Sequence, residues 1–387
     1  MGVEEKYLAQ FNVGKKEIYA ARVAFFIPGF AVSTWAPMIP MVKERLNIEA
    51  DVLGLLLLCI GISAFFVMPI AGLLGQRFGC KKIMIIGSIC MIVNVLILSL
   101  LPNIWSYAIF LVLLGAFMGA LDVNMNVNAV IVEKIAKKRL MSGMHAFWSI
   151  GCFASAGLFS LLATLGVNIT TIAIIHCVIV FIILAIFGRY FLEYKGAGNE
   201  KAIAIPKGIV ILFGILACIS FLGEGAVMDW SGVFLSEVKA VDLSLAGLGY
   251  AIFSVAMLIV RLIGDKVVQI AGEKNTVIFG SILAGIGFLL VILIDEFYLM
   301  PLGFICIGLG AANIVPVLYS LLKYQNDMPI NGAVTAITCF GYTGVILGPA
   351  ILGFIAHGIG ITAVFYMLGF LLIAQSIIAL YIFNKLK

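Results

Sequence analysis

The sequence predicts an all-α integral membrane protein: twelve transmembrane helices arranged as two pseudo-symmetric six-helix bundles. Three observations predict it. Of 387 residues, 63% are hydrophobic and only 11% charged, too little polar material to cover a soluble domain of this length. Apolar runs of membrane-spanning length recur from one end of the chain to the other. Short patterns in the first half return in the second at a nearly constant offset.

A helix needs about 20 apolar residues to cross the hydrocarbon core. Twelve segments qualify: 18–42, 52–75, 83–101, 105–131, 143–164, 169–188, 208–234, 245–264, 275–294, 297–322, 332–356 and 361–384. The residues before the first carry Glu4, Glu5, Lys6, Lys15, Lys16 and Glu17, with neither the apolar region nor the cleavage site of a signal peptide, so that segment is expected to persist as a helix. Leu101-Pro102-Asn103 and residues 165–168 are links short enough to join antiparallel neighbours. The polar stretch "EYKGAGNEKAIAIPK" (193–207) reads as a linker between a first half, 1–192, and a second, 208–387.

Alternating the twelve spans puts 21 of the 24 Lys and Arg residues on one side, against Lys43, Arg45 and Lys239 on the other. Basic residues mark the cytoplasmic side, so both termini are expected there. The net charge of +5 is accounted for by the anionic inner leaflet and requires no nucleic-acid partner. The eight cysteines form no CxxC pair; they read as structural thiols, and neither a metal nor a cofactor is expected.

The internal repeat rests on three matches. "AVSTWAPMIPMVKERL" (31–46) parallels "AVMDWSGVFLSEVKAV" (226–241), aligning Ala31, Val32 and Trp35 with Ala226, Val227 and Trp230. Gly119-x-x-Asp122 returns as Gly310-x-x-Asn313, and Ser142-Gly143 as Asn331-Gly332. Offsets of 195, 191 and 189 describe one duplication into parallel halves, an architecture that holds a transported solute between its repeats near the midplane.

The stretch "GLLGQRFGCKK" (72–82) resembles the signature G-x-L-a-D-R-x-G-R-K of the major facilitator superfamily. Gly72, Leu74, Arg77, Gly79 and Lys81 match; Gln76 stands in place of the aspartate and Cys80 in place of a basic residue. The second-half copy, "RLIGDKVVQIAGEK" (261–274), keeps an acid at Asp265. "EGAVMDWSGVFL" (224–235) and "GYTGVILGP" (341–349) are similar to a bacterial permease branch near the fucose–proton symporters. The resemblance implies the major facilitator fold, with segments 1, 4, 7 and 10 lining a cavity and 3, 6, 9 and 12 facing mostly lipid. It also implies a monomer in the bacterial inner membrane. The cores 83–101, 169–188, 275–294 and 361–384 indeed lack Asp, Glu, Lys and Arg.

Against this background "GALDVNMNVNAVIVE" (119–133) stands out. A charge at membrane depth costs at least ~2.5–3.5 kcal/mol on insertion scales, so it ordinarily faces protein or water. At about 100° per residue Asn126 lies about 40° from Asp122, on a strip shared with Gly115, Gly119 and Ala129. That strip reads as a small-residue groove for a polar ligand. Gly119-x-x-Asp122-x-x-x-Asn126 also resembles the arrangement in fucose-type symporters, which implies a proton-coupling role for Asp122. Asn124 and Asn128 point about 160° and 120° away and read as ties between helices. Glu224, mid-segment, is the second expected proton carrier. Asp229, about 140° around, is assigned to an outer gate or to packing.

Trp35, Phe30 and Trp148 are candidates to stack on a solute, with Asn313 and Tyr342 as further binding candidates. Arg22 is expected to snorkel. His145 is assigned to gating, as are Gly72, Arg77, Gly79 and Lys81, while Arg261 and Asp265, at i and i+4, are expected to pair. The predicted function is alternating-access transport of a small polar solute, sugar-like or another metabolite, as proton-coupled uptake. A drug or metabolite exporter on the same fold is the alternative: segment 5 lacks the exporter's Gly-Pro, and Gly348-Pro349 occurs only in segment 11. No P-loop and no nucleophile–base cluster is legible, so ATP hydrolysis and enzyme activity are not expected.

Overall fold

The computed structural model describes residues 8–48, 50–195, 205–241, 245 and 247–385. Most of the linker, together with Lys6, Lys201 and Lys387, lies outside the described residues. All regular structure within them is helical. Helices α1 to α12 are Lys15–Trp35, Ala50–Phe78, Cys80–Leu98, Ile104–Ala136, Met141–Thr164, Ile169–Phe187, Ile209–Glu237, Leu248–Ala271, Glu273–Leu293, α10 in two pieces (α10a, Pro301–Ala311; α10b, Ile314–Leu321), Ile330–Ile359 and Ile361–Lys385. Among the described residues eleven spans are long and apolar enough to cross a membrane. The remaining long helix, α8, has 24 residues and carries Arg261, Asp265 and Lys266.

Two of the expected spans are modified, each at proline. The first does not run to residue 42: α1 stops at Trp35, a 3-10 turn covers Ala36–Met38, and a short helix follows over Ile39–Leu46. Pro37 and Pro40 lie in this stretch, and proline both lacks an N–H and clashes with the preceding turn. The tenth span breaks at Ala312–Asn313. Pro316 is the cause, since its missing N–H leaves the Ala312 carbonyl, four residues earlier, without an intrahelical donor.

The short links form as their residues dictate. Asn103 caps α4 by accepting from the Ser106 N–H at 3.0 Å, and Asn168 caps α6 through the Thr171 N–H at 2.9 Å. Single glycines join α2 to α3 and α8 to α9: Gly79 with φ 97° and Gly272 with φ 80°, a region closed to other residues without strain.

The chain divides into two compact units. One comprises Met1–Leu140, Met144–Ile205 and Pro329–Thr335; the other comprises Met141–Gly143, Pro206–Met328 and Ala336–Lys387. In the first, α2 and α3 pack on α4, and α3 packs on α6. In the second, α8 and α9 pack on α10, and α9 packs on α12. The pairings recur six helices apart, as a duplication requires.

Gly79→Ala forces a Cβ into this backbone at a cost of about 1–3 kcal/mol. It is expected to lower the melting temperature of the detergent-purified protein, whereas Gly157→Ala, in a helix with open space around the added Cβ, should leave it unchanged or raise it.

Candidate functional site

In the first unit, Asn126 donates from Nδ2 to the Asp122 carbonyl at 2.8 Å and to Asp122 Oδ1 at 3.1 Å. Asn126 is buried and Asp122 half-buried, so the expected carboxylate–amide pair forms on α4. The expected glycine groove beside it does not. A Cβ on Gly115 would strike the Ile60 carbonyl, and one on Gly119 would strike the backbone of Ala64. These glycines admit the α2 backbone rather than a ligand, because small residues are what allow membrane helices to approach closely. Asn124 and Asn128 act as ties. Asn124 Nδ2 donates to the Ala71 carbonyl of α2 at 3.1 Å, and Asn128 Nδ2 to the Leu192 carbonyl beyond α6 at 3.1 Å.

The aromatic candidates are deeper than a stacking role suggests. Phe30 and Trp35 are each 3% exposed. Phe30 lies 4.9 Å, centroid to centroid, from the His176 ring, and Trp35 lies 6.4 Å from Tyr107. Both side chains are packed among other helices. Trp148 is half-buried on α5, where its carbonyl meets Gly29 of α1. His145 lies 5.0 Å from the Phe25 ring. The Arg22 guanidinium sits over Tyr19 and Phe147, at 5.8 and 5.9 Å. This is a more specific placement than snorkelling.

His176 is a residue that sequence reasoning passed over. It is fully buried on α6, with Nδ1 2.8 Å from the Ile172 carbonyl and Nε2 3.3 Å from the Ser155 carbonyl, and the Ser155 and Thr34 hydroxyls meet at 3.0 Å. As the one histidine in an otherwise apolar segment, it carried a signal that a search for catalytic clusters ignored.

The second unit holds a charged cluster. Arg261 of α8 is 8% exposed, and its Nη2 lies 3.5 Å from Glu224 Oε2 of α7. Its Nε donates at 3.1 Å to the Ala312 carbonyl, the group that Pro316 frees at the α10 break. Asn313, at the break and 3% exposed, packs against Gly264, one turn along α8 from Arg261. Two acceptors in this cluster, Glu224 Oε1 and Asn313 Oδ1, are buried and meet no donor among the described residues. Asp229 is exposed and outside the cluster, and Tyr342 is half-buried on α11. A recess of about 510 Å³ opens beside Trp230, Glu237 and His357.

Of the gating candidates, Arg77, Gly79 and Lys81 fall at helix ends. Arg261, expected to pair with Asp265, reaches Glu224 instead, and Asp265 Oδ1 accepts the Gly143 N–H of α5 at 3.1 Å. Gly72 is buried, and a Cβ there would collide with the Thr335 hydroxyl. Arg77 is exposed over the Phe78 ring. Lys81 donates to the Arg189 carbonyl at 2.7 Å, just beyond the end of α6 in its own unit.

Long apolar helices, helix pairings repeated six apart and buried ionisable groups define a duplicated polytopic membrane protein. The sequence profile of the Major Facilitator Superfamily matches residues 23–322 and 213–386, and the chain belongs to that superfamily of transporters. An uncharacterised transporter of this type from Yersinia pestis is 37% identical over 364 residues, covering 94% of this chain and 95% of the relative. The multi-drug resistance efflux pump PmrA of Streptococcus pneumoniae is 24% identical over 371 residues, covering 88% and 89%. The crystal structure of the E. coli fucose:proton symporter FucP superposes with a TM-score of 0.74 at 15% identity, over 94% of this chain and 98% of that one.

The α2–α4 contact tests this assignment of the glycines. Gly119→Leu should cut the yield of monodisperse protein on size exclusion sharply, because the Ala64 backbone cannot yield to a side chain.

Proposed function

We propose that the protein moves a small polar solute, sugar-like or another metabolite, by alternating access, as proton-coupled uptake across the bacterial inner membrane. It works as a monomer with both termini cytoplasmic. The halves 1–192 and 208–387 rock about a midplane site, joined by the linker 193–207. The observation that carries the reading is the Glu224–Arg261 pair, a carboxylate sunk in a membrane helix with one oxygen on a guanidinium and the other meeting no donor among the described residues. Groups of this cost inside a bilayer ordinarily work. A carboxylate so placed can hold a proton on its unengaged oxygen at one stage of a cycle and release it at another.

Asp122, bonded to Asn126, is the second proton carrier, in the other half. Asn126, Asn313, Tyr342 and Trp148 contribute binding groups, with Phe30 and Trp35 as further aromatic candidates. Gly72, Arg77, Gly79, Lys81, Asp265, His145 and Asp229 serve the gates. Asp265 acts there by holding the α5 N-terminus through the Gly143 N–H.

A second reading, export of a drug or metabolite, is favoured by the likeness to an efflux pump over most of the chain. Accumulation by cells expressing the protein decides for uptake; a raised resistance threshold decides for export.

Proteoliposomes loaded with a pH-sensitive dye test the coupling. Solutes that the wild type accepts should acidify the lumen, whereas Asp122→Asn and Glu224→Gln should remove this proton entry while leaving solute exchange in place. Undiminished acidification in both variants would refute the assignment of the two carboxylates.

A further inference from the structure

The Arg261 cluster carries more than a proton site. Arg261 carries a guanidinium, and its one ion partner among the described residues is Glu224. The guanidinium is nearly buried, so its charge must be balanced at each stage of the cycle. With Glu224 ionised the pair is neutral. Once Glu224 takes a proton, the pair carries a net positive charge at the α10 break, in surroundings that stabilise an isolated charge poorly.

No second carboxylate among the described residues pairs with Arg261. Among the described residues, α8, α10b, α11 and α12 pack against α7, and Phe288 of α9, whose apolar stretch carries no charge, approaches Gly223 beside Glu224. α8 brings Arg261 itself, then Asp265 and Lys266 a turn further along, with Asp265 engaged by the Gly143 N–H. α10b brings Tyr319. α11 brings Cys339, Tyr342 and, near its far end, His357. α12 has Tyr366 and Tyr381 and no acidic residue. On α7 itself Asp229 is exposed, five residues from Glu224.

Two further observations narrow the anion. Asn313 Oδ1, 3% exposed and meeting no donor among the described residues, calls for an O–H or N–H from a ligand. The break also opens onto the N-terminus of the eight-residue α10b, whose dipole favours negative charge. A metal cation on the two free acceptors is disfavoured, since it would share the site with the guanidinium.

Resting on the transport reading above, we infer that Arg261 is the recognition residue for a small hydroxylated carboxylate. Protonation of Glu224 releases the guanidinium to the solute carboxylate, while Asn313 Oδ1 accepts a solute hydroxyl. Proton and anion then enter together with no net charge. The solute class is that of sugar acids and other hydroxy acids rather than neutral sugars.

The test reads binding, independently of transport. The full chain in detergent is melted at fixed ionic strength in 100 mM-scale sodium D-gluconate, sodium acetate, or sodium chloride with glucose, at pH 8 and pH 5.5. The wild type should gain several degrees in gluconate over chloride–glucose at pH 5.5 and none at pH 8, with acetate giving a smaller gain. Glu224→Gln should show the gluconate gain at both pH values, and Arg261→Gln and the double variant at neither. A gain in Arg261→Gln equal to the wild type's overturns the proposal, as does a folded Glu224→Gln without one at pH 8. Should Glu224→Gln not fold, the wild type decides: absence of a gluconate gain at pH 5.5 overturns the proposal. Proton entry in the liposome assay without any anion shift would remove the solute class and keep the coupling, whereas the reverse would remove the coupling and keep the anion site.

Discussion

Every polar group at membrane depth has to find its partner within the protein, because hydrocarbon offers none. The α10 break shows how far one such requirement propagates. Pro316 cannot donate to the Ala312 carbonyl, and the orphaned oxygen is met by Arg261 Nε across from α8. A guanidinium brought there needs a counter-charge, and Glu224 of α7 supplies it. An imino acid in α10, an arginine in α8 and a glutamate in α7 are thus linked, and the three helices meet at one polar point.

Around such points the packing is made by glycine. Gly115 and Gly119 of α4 lie against the α2 backbone, and in the second unit Gly280 of α9 meets Gly310 of α10a while Gly285 of α9 meets Gly369 of α12. Association in lipid gains no hydrophobic term between helices, so close backbone contact and polar ties carry the cohesion. Asn124 on Ala71 and Gln375 on the Ser220 hydroxyl, at 2.9 Å, are ties of this kind. Two polar residues of the nominally lipid-facing helices follow the same rule: His176, on the Ile172 and Ser155 carbonyls, and Gln375, on Ser220, are fully buried.

Much of the site was legible in α4. Helical periodicity separates Asp122 and Asn126 from Asn124 and Asn128, and the bonds fall along that division: Asn126 on Asp122, Asn124 on α2, Asn128 on the segment after α6. The same periodicity misassigned Gly115 and Gly119, because spacing identifies which residues share a face and not whether that face meets a ligand or a helix. Arg261 and Asp265 failed in a related way. Their i, i+4 spacing permits a pair within α8, but a buried arginine goes where an unanswered carbonyl and a carboxylate already lie, and that place is set by two other helices.

By itself the sequence determined the all-helical class, the recurrent apolar spans and the return of first-half patterns in the second half. These follow from local quantities: hydropathy over a window and a repeat offset. Only the tertiary structure decided that Glu224 is held by Arg261, that the α4 glycines belong to α2, and that Phe30 lies on a buried histidine. These are pairings between helices far apart in the chain, and lipid leaves every buried polar group to choose among all the partners that folding brings within reach.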